Sequence, residues 1–242
     1  MNNKDFVDAI VRSAQRYPDA TFSEKGRIHT CVNPYSYHLV RNNSDLYNDM
    51  DGLFVDGILM VKFIGWFWGH KIPRLSFDMT GMAPDLFNRL NQNDETIFFV
   101  GARQEEIEET VKQIRSNYPG MNIIGFRNGY FQTEEERHDT IQQILQTNPD
   151  FTIIGMGMAL QENFALDLKK AGYQGIAFTC GGFLHQTSKG INYYPEWINK
   201  YNLRAFYRLY KERGLFKRLY YILLEFPILF TLDSLKTKLS KK

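Results

Sequence analysis

Cysteine is scarce in this chain. Cys31 and Cys180 are the only two among 242 residues, too few for the disulfide framework of a small secreted domain, so a reducing cytoplasm is the expected compartment. Charge of one sign is also in short supply. The 29 Lys and Arg against 27 Asp and Glu leave a net +2, too small to argue for a nucleic-acid surface, and no nucleic-acid partner is expected. Long hydrophobic runs are missing as well. The stretches 58–68 and 219–232 fall short of the ~20 apolar residues that a spanning helix needs, and Lys62, Glu225 and Pro227 interrupt them. No charged-then-apolar leader opens the chain. The five histidines, at 29, 38, 70, 138 and 185, show no ligand spacing, so no metal is expected. The long glycine fingerprint of dinucleotide enzymes is absent too, which counts against a nicotinamide or flavin protein, and no cofactor is expected.

What is present is organised around Phe54-Val55-Asp56-Gly57. This apolar run delivers one carboxylate and one glycine to the start of the apolar stretch Ile58 to Trp68, where open α/β sheets expose their ligand-facing groups. Taken alone, such an Asp is more often a helix cap than a catalyst. Its company changes the odds. Asn33 ends the short strand Arg27 to Val32 in the same way, because the residue before Pro34 avoids the α region. Between them, Tyr35 to Met50 reads as one helix. After Pro73 the polar segment Arg74-Leu75-Ser76-Phe77-Asp78-Met79-Thr80-Gly81 is irregular, and loops of this kind carry function disproportionately.

From Thr96 onward strand and helix alternate four times: strands at 96–100, 122–126, 151–154 and 175–179, helices at 103–117, 133–147 and 159–171. Such alternation predicts right-handed βαβ units and an α/β, Rossmann-like parallel sheet covered by helices on both faces. Each strand runs into a small or polar loop. Gly101-Ala102-Arg103, Arg127-Asn128-Gly129, Gly155-Met156-Gly157 and Cys180-Gly181-Gly182 would converge on the carboxyl edge, where a nucleotide is expected. The helix after Arg103 is the poorest phosphate site, since Glu105, Glu106, Glu108 and Glu109 already oppose its dipole.

Past residue 200 the chain turns basic and amphipathic. Arg204, Arg208, Lys211, Arg213, Lys217 and Arg218 stand among aromatic and aliphatic residues against the single Glu212, a composition suited to a membrane surface or an anionic ligand. A chain of this length can bury one full core. The expected division is therefore a catalytic α/β domain over 1–199 and a basic amphipathic helical appendage over 200–242.

Taken in order, these pieces resemble the WecG/TagA/CpsF family of bacterial glycosyltransferases. The residues that carry the likeness are Asn33-Pro34, Val55-Asp56-Gly57, Arg74 to Asp78, Phe99-Val100-Gly101, Asn117-Tyr118-Pro119-Gly120, Asn128-Gly129-Tyr130-Phe131, Gly155-Met156-Gly157 with Gln161-Glu162, Gly181-Gly182-Phe183, and Arg208-Leu209 with Glu212. The resemblance implies an inverting transfer of a sugar, N-acetylmannosamine or a related hexose or uronic acid, from a UDP-sugar to a polyprenyl-diphosphate-linked glycan. It also implies work at the inner face of the cell membrane by a peripheral protein. In that role Asp56 is the implied base, Asn33 a polar partner, and Asp78 a rival or helper to Asp56. Gly101, Arg103, Asn128, Gly155, Gly157, Gln161, Glu162, Gly181 and Gly182 would hold the nucleotide-sugar, and Thr30, Arg74, Arg208 and Arg218 the acceptor or diphosphate. The competing readings are a non-catalytic nucleotide-sugar-binding module and an oxidoreductase of similar architecture. A homo-oligomer is left open.

Overall fold

The computed structural model describes residues 2–201, 203, 204, 207 and 216–240. Six strands, β1 (Ile28–Val32), β2 (Gly52–Val55), β3 (Thr96–Gly101), β4 (Asn122–Arg127), β5 (Phe151–Gly155) and β6 (Ile176–Thr179), form one sheet in the order β2-β1-β6-β5-β3-β4. All five pairings are parallel, so every strand delivers its carboxyl end to the same edge.

The strands are apolar on both faces, as a sheet covered twice requires. Period-2 alternation divides them. Phe98, Val100, Leu53, Val55 and Ile154 enter one buried cluster, and Ile97, Phe99, Phe54 and Ile153 the other. The first cluster is closed by α1 (Asn3–Arg16), α3 (Tyr37–Asn42), α4 (Ser44–Asn48), α5 (Ile58–Trp68), α8 (Glu134–Thr147) and α9 (Leu160–Lys170), and the second by α2 (Asp19–Ser23), α6 (Met82–Leu90), α7 (Gln104–Asn117) and α10 (Phe183–Thr187). A short α11 (Glu196–Lys200) follows. The edge strand β2 is not left bare. Ser13 of α1 accepts a hydrogen bond from the Leu53 amide at 2.9 Å, which occupies a strand donor that would otherwise invite another chain.

One expectation about an element changes. The single helix expected over 35–50 is broken at Asn43, whose backbone leaves the helical region (φ −125°, ψ 47°) while its side-chain amide donates to the Leu39 carbonyl. Asn competes with the helix ladder in this way whenever its short amide reaches a carbonyl. The basic amphipathic stretch expected from residue 204 lies largely outside the described residues; from Phe216 the chain runs as a helix Phe216–Tyr220, a π-helical turn Tyr221–Glu225 and a long helix Phe226–Leu239. Pro227 lies two residues past the π turn; it has no N–H for the i→i−4 ladder and its ring crowds the carbonyl one turn back, which a π turn relieves.

That last helix is part of the core. Phe226 and Phe230 are buried against Phe63 and Tyr37. Asp233 accepts from Arg41 Nε at 2.6 Å and from the Tyr37 hydroxyl at 2.9 Å, and the Ser234 hydroxyl donates to Asn3 Oδ1. The C-terminal helix therefore closes the face formed by α1, α3 and α5. No helix among the described residues is long and apolar enough to cross a membrane.

Candidate active site

The carboxyl edge of the sheet opens into a cavity of about 940 Å³. Asn33 and Asp56 line it from the ends of β1 and β2, and Arg74 and Asp78 from the polar loop. Arg103 contributes from the end of β3, Gly155, Gly157 and Gln161 from the β5–α9 loop, Gly181 and Gly182 from the end of β6, and Arg218 from the C-terminal flank. The loops that the alternation placed together are together.

Three charges dominate one wall. Arg74 Nη2 donates to Asp56 Oδ1 at 2.8 Å and to Asp78 Oδ2 at 2.7 Å, while Nε donates to the same Asp56 oxygen at 3.1 Å. The two carboxylates differ in what else they hold. Asp78 also accepts from the Ser76 hydroxyl at 2.8 Å and from the Thr80 amide and hydroxyl at 2.8 and 2.5 Å, so both its oxygens are committed. Burial would raise the Asp78 pKa, but the Arg74 charge and the donors of Thr80 and Ser76 outweigh it and hold the carboxyl below its usual range. Asp56 accepts only from Arg74 among the described residues, and its side chain is 38 % exposed against 17 % for Asp78. Its second oxygen is open to a ligand. Asn33 stands on the neighbouring strand end. Its Oδ1 accepts from the Ser36 backbone N–H at 2.9 Å and its own backbone N–H donates to Ser36 Oγ, a reciprocal pair that fixes the side chain after β1.

Glycine is required where the β3 and β5 ends meet. A Cβ on Gly101, which has φ +145°, would lie 2.3 Å from the Gly155 carbonyl oxygen. The following loop is stiffened from below by Glu162. Its Oε2 accepts from the Ala159 amide at 2.7 Å, and its Oε1 from Thr30 Oγ1 and Gln161 Nε2, both at 2.8 Å. Ala159 sits at φ +67°, a conformation that costs a non-glycine residue about 1–3 kcal/mol and persists only when its surroundings impose it. Gln161 in turn accepts from the Gly181 amide through Oε1 at 3.0 Å, which sets the orientation of its amide and joins the β5 and β6 loops.

Thr30 was expected to meet the acceptor and Glu162 the nucleotide-sugar. Both are instead almost wholly buried beneath the floor, Thr30 bonded to Glu162 and to Thr179 Oγ1; they support Gln161 and Ala159 rather than line the cavity. The physical reason is strand period: Thr30 points to the α9 face, away from the open edge. Gly101 and Asn128 also lie behind the wall. Asn128 is held within its own loop, donating to Gln104 Oε1 at 2.8 Å and accepting from the Tyr130 amide, and Gly129 and Tyr130 face the cavity in its place.

The opposite wall carries a polar chain that the sequence reading did not single out. His185 Nδ1 lies 2.7 Å from Glu106 Oε1, and Lys189 Nζ 2.8 Å from His185 Nε2. Glu106 also accepts from the Arg103 amide at 3.0 Å, so this helix start is already capped by its own carboxylate. Tyr35, Tyr194 and Arg204 line the cavity as well. The Arg218 guanidinium lies 4.5 Å from the centroid of the Tyr35 ring and that of Arg204 5.7 Å from Tyr194. Burial pulls the Arg204 pKa down, the Arg74 charge adds to the shift, and the Asp78 and Asp56 carboxylates oppose it. Arg208 lies outside the described residues.

No group of three or more His, Cys, Asp or Glu with metal-binding geometry occurs among the described residues. The chain has one Asp-x-Asp, Asp49-Met50-Asp51. It precedes β2, at the edge opposite the cavity, and Asp51 there bonds Arg27, Lys169 and the Ile28 amide.

The profile of the Glycosyl transferase WecG/TagA/CpsF family matches residues 3–240, and the chain belongs to this family. It is 36% identical over 206 residues to a Shigella boydii protein named UDP-Gal:alpha-D-GlcNAc-diphosphoundecaprenol beta-1,4-galactosyltransferase, covering 85% of this chain and 86% of that one. It is 30% identical over 228 residues to the N-acetylglucosaminyldiphosphoundecaprenol N-acetyl-beta-D-mannosaminyltransferase of Bacillus subtilis strain 168, covering 90% and 86%. A protein of the same name from Bacillus spizizenii is 25% identical over 227 residues, covering 90% and 85%.

Proposed function

We propose that this member of the WecG/TagA/CpsF family is an inverting hexosyltransferase that moves a sugar from a UDP-sugar to an N-acetylglucosaminyl-diphospho-polyprenol in the building of a cell-surface polysaccharide. Galactose is the favoured donor sugar, because the Shigella galactosyltransferase shares more identity with the chain than either mannosaminyltransferase does. The observation that carries the reading is Asp56: a carboxylate clamped through one oxygen by Arg74, with the other open at the end of a parallel strand, beside glycine loops that let a diphosphate approach the backbone.

The chemistry follows from these positions. The acceptor hydroxyl gives its proton to the open oxygen of Asp56 as its own oxygen forms the bond to the anomeric carbon of the donor. The bond from that carbon to the diphosphate breaks on the opposite face, and UDP leaves with the electron pair. Asp78, saturated with donors, holds Arg74 rather than taking the proton. Arg204 and Arg218, with the amide of Gln161, supply positive potential for the leaving diphosphate. The protein works at the inner membrane surface, where its cationic flank meets anionic lipid and its acceptor is anchored.

The test is release of UDP from a panel of UDP-sugars, each with and without a synthetic N-acetylglucosaminyl-diphospho-lipid. Acceptor-dependent release, largest with UDP-galactose, is expected. Equal release with and without acceptor for every donor would contradict the assignment.

A further inference from the structure

Beside its charged wall the cavity has an apolar lip. Ile58 at the start of α5, Met158 and Leu160 at the start of α9, and Leu219 and Ile222 on the C-terminal flank all line it. Ile58 and Leu160 are 40 % and 63 % exposed, which is costly for side chains at a cavity mouth unless something apolar covers them. The C-terminal flank presents the two characters in order. Arg218 and Ile222 stand one helical turn apart, both on the cavity, with Leu219 between them. A cation is thus followed, along one helix face, by aliphatic side chains.

We propose that this lip is a binding site for the first isoprene units of the acceptor's polyprenyl chain, with Arg218 at the junction where diphosphate gives way to hydrocarbon. The assignment rests on the reading of the acceptor given above. Three features select the occupant: the apolar side chains line the same cavity as Asp56, the Arg218 cation lines it one helical turn before Ile222, and the acceptors named for the relatives join a diphosphate to undecaprenol. The cavity volume leaves room for only the near end of such a chain beside the donor, so the remainder extends outward past Ile222 along the exposed Leu223 and Leu224. The lip therefore sets a preference for a prenyl over a polar aglycone and draws the acceptor in by its tail.

The test needs no turnover. Dimethylallyl, geranyl and farnesyl diphosphate are titrated, in detergent-free buffer, into the full-length chain and into Ile58→Ser and Leu160→Ser variants. Both substituted positions are at helix starts and partly exposed, where serine is well tolerated. Wild-type affinity should rise by about tenfold or more from dimethylallyl to farnesyl, since each buried methylene contributes about 0.8 kcal/mol. The serine variants should flatten that gradient to roughly threefold or less while UDP binding is unchanged. A wild-type affinity independent of chain length, or variants that keep the full gradient, would overturn the site. A gradient that is present in a protein that transfers to no acceptor would uphold the lip and count against the proposed reaction instead.

Discussion

The residues that decide the chemistry are few, and their types were legible from the sequence while their partners were not. Asp56 could be read from its place after an apolar run and before glycine. That Arg74 joins it to Asp78 across a span of 22 residues could not, because the polar loop has no periodicity to fix where its side chains point. The geometry now ranks the two carboxylates. Asp78→Asn should impair the site by loosening Arg74, with the KM for donor rising along with the fall in kcat, whereas loss at Asp56 should fall on kcat alone; steady-state kinetics of the two variants separate these outcomes. A second residue-scale prediction concerns His29. It is buried between Phe54 and Phe178 with neither ring nitrogen hydrogen-bonded among the described residues, and burial lowers its pKa to about 4. The folded pKa lies below the unfolded one, so the unfolded chain binds a proton that the fold refuses as pH drops from about 6.5 to 4. Stability from this group is full above about 6.5 and declines by about 3 kcal/mol through that window. Urea midpoints measured across it should fall more steeply for wild type than for His29→Leu.

At the scale of elements, long segments with strong patterns were readable and short ones were not. The helices starting at 58 and 104 and the strands after Thr96 emerge where hydrophobic period and turn residues place them. By contrast α2 and α10 are five residues each, too short to show a helical period, and Asn43 breaks a helix by a local hydrogen bond that composition does not reveal. The glycine loop after β5 is visible as a sequence feature, but nothing in the sequence shows that the Glu162 carboxylate is buried beneath it. Glu162→Gln tests the present account: an amide nitrogen placed where Oε2 now accepts from Ala159 would set two donors against each other. The variant should keep its fold by circular dichroism and lose donor affinity. Unchanged affinity would remove Glu162 from the support of Gln161.

Over the whole molecule, packing ties the C-terminal helix to the α/β core. Phe226 and Phe230 join the same cluster as Phe6, Tyr37 and Met60, so truncation before residue 200 would strip a face of the core as well as a basic tail. Phe230→Ala should cost about 3–5 kcal/mol, read from denaturant midpoints. Membrane docking is better tested in the intact chain: binding to anionic vesicles should weaken markedly as salt is raised from about 0.05 to 0.5 M. Salt-independent binding would locate the attraction in apolar contacts instead. The basic composition was legible in the sequence and the packing was not, since the seating of a C-terminal helix onto α1, α3 and α5 depends on contacts more than 190 residues apart in the chain.

The central claim is that Asp56 takes the acceptor's proton in a transfer from a UDP-sugar, and single-turnover kinetics of Asp56→Asn with a bound donor test it most directly. Asparagine keeps an oxygen for Arg74 and loses the basic site. The account predicts a rate of sugar transfer to the lipid-linked acceptor lower by roughly 10²–10⁴-fold, with UDP affinity within a few-fold of wild type. A variant that transfers at the wild-type rate would contradict it.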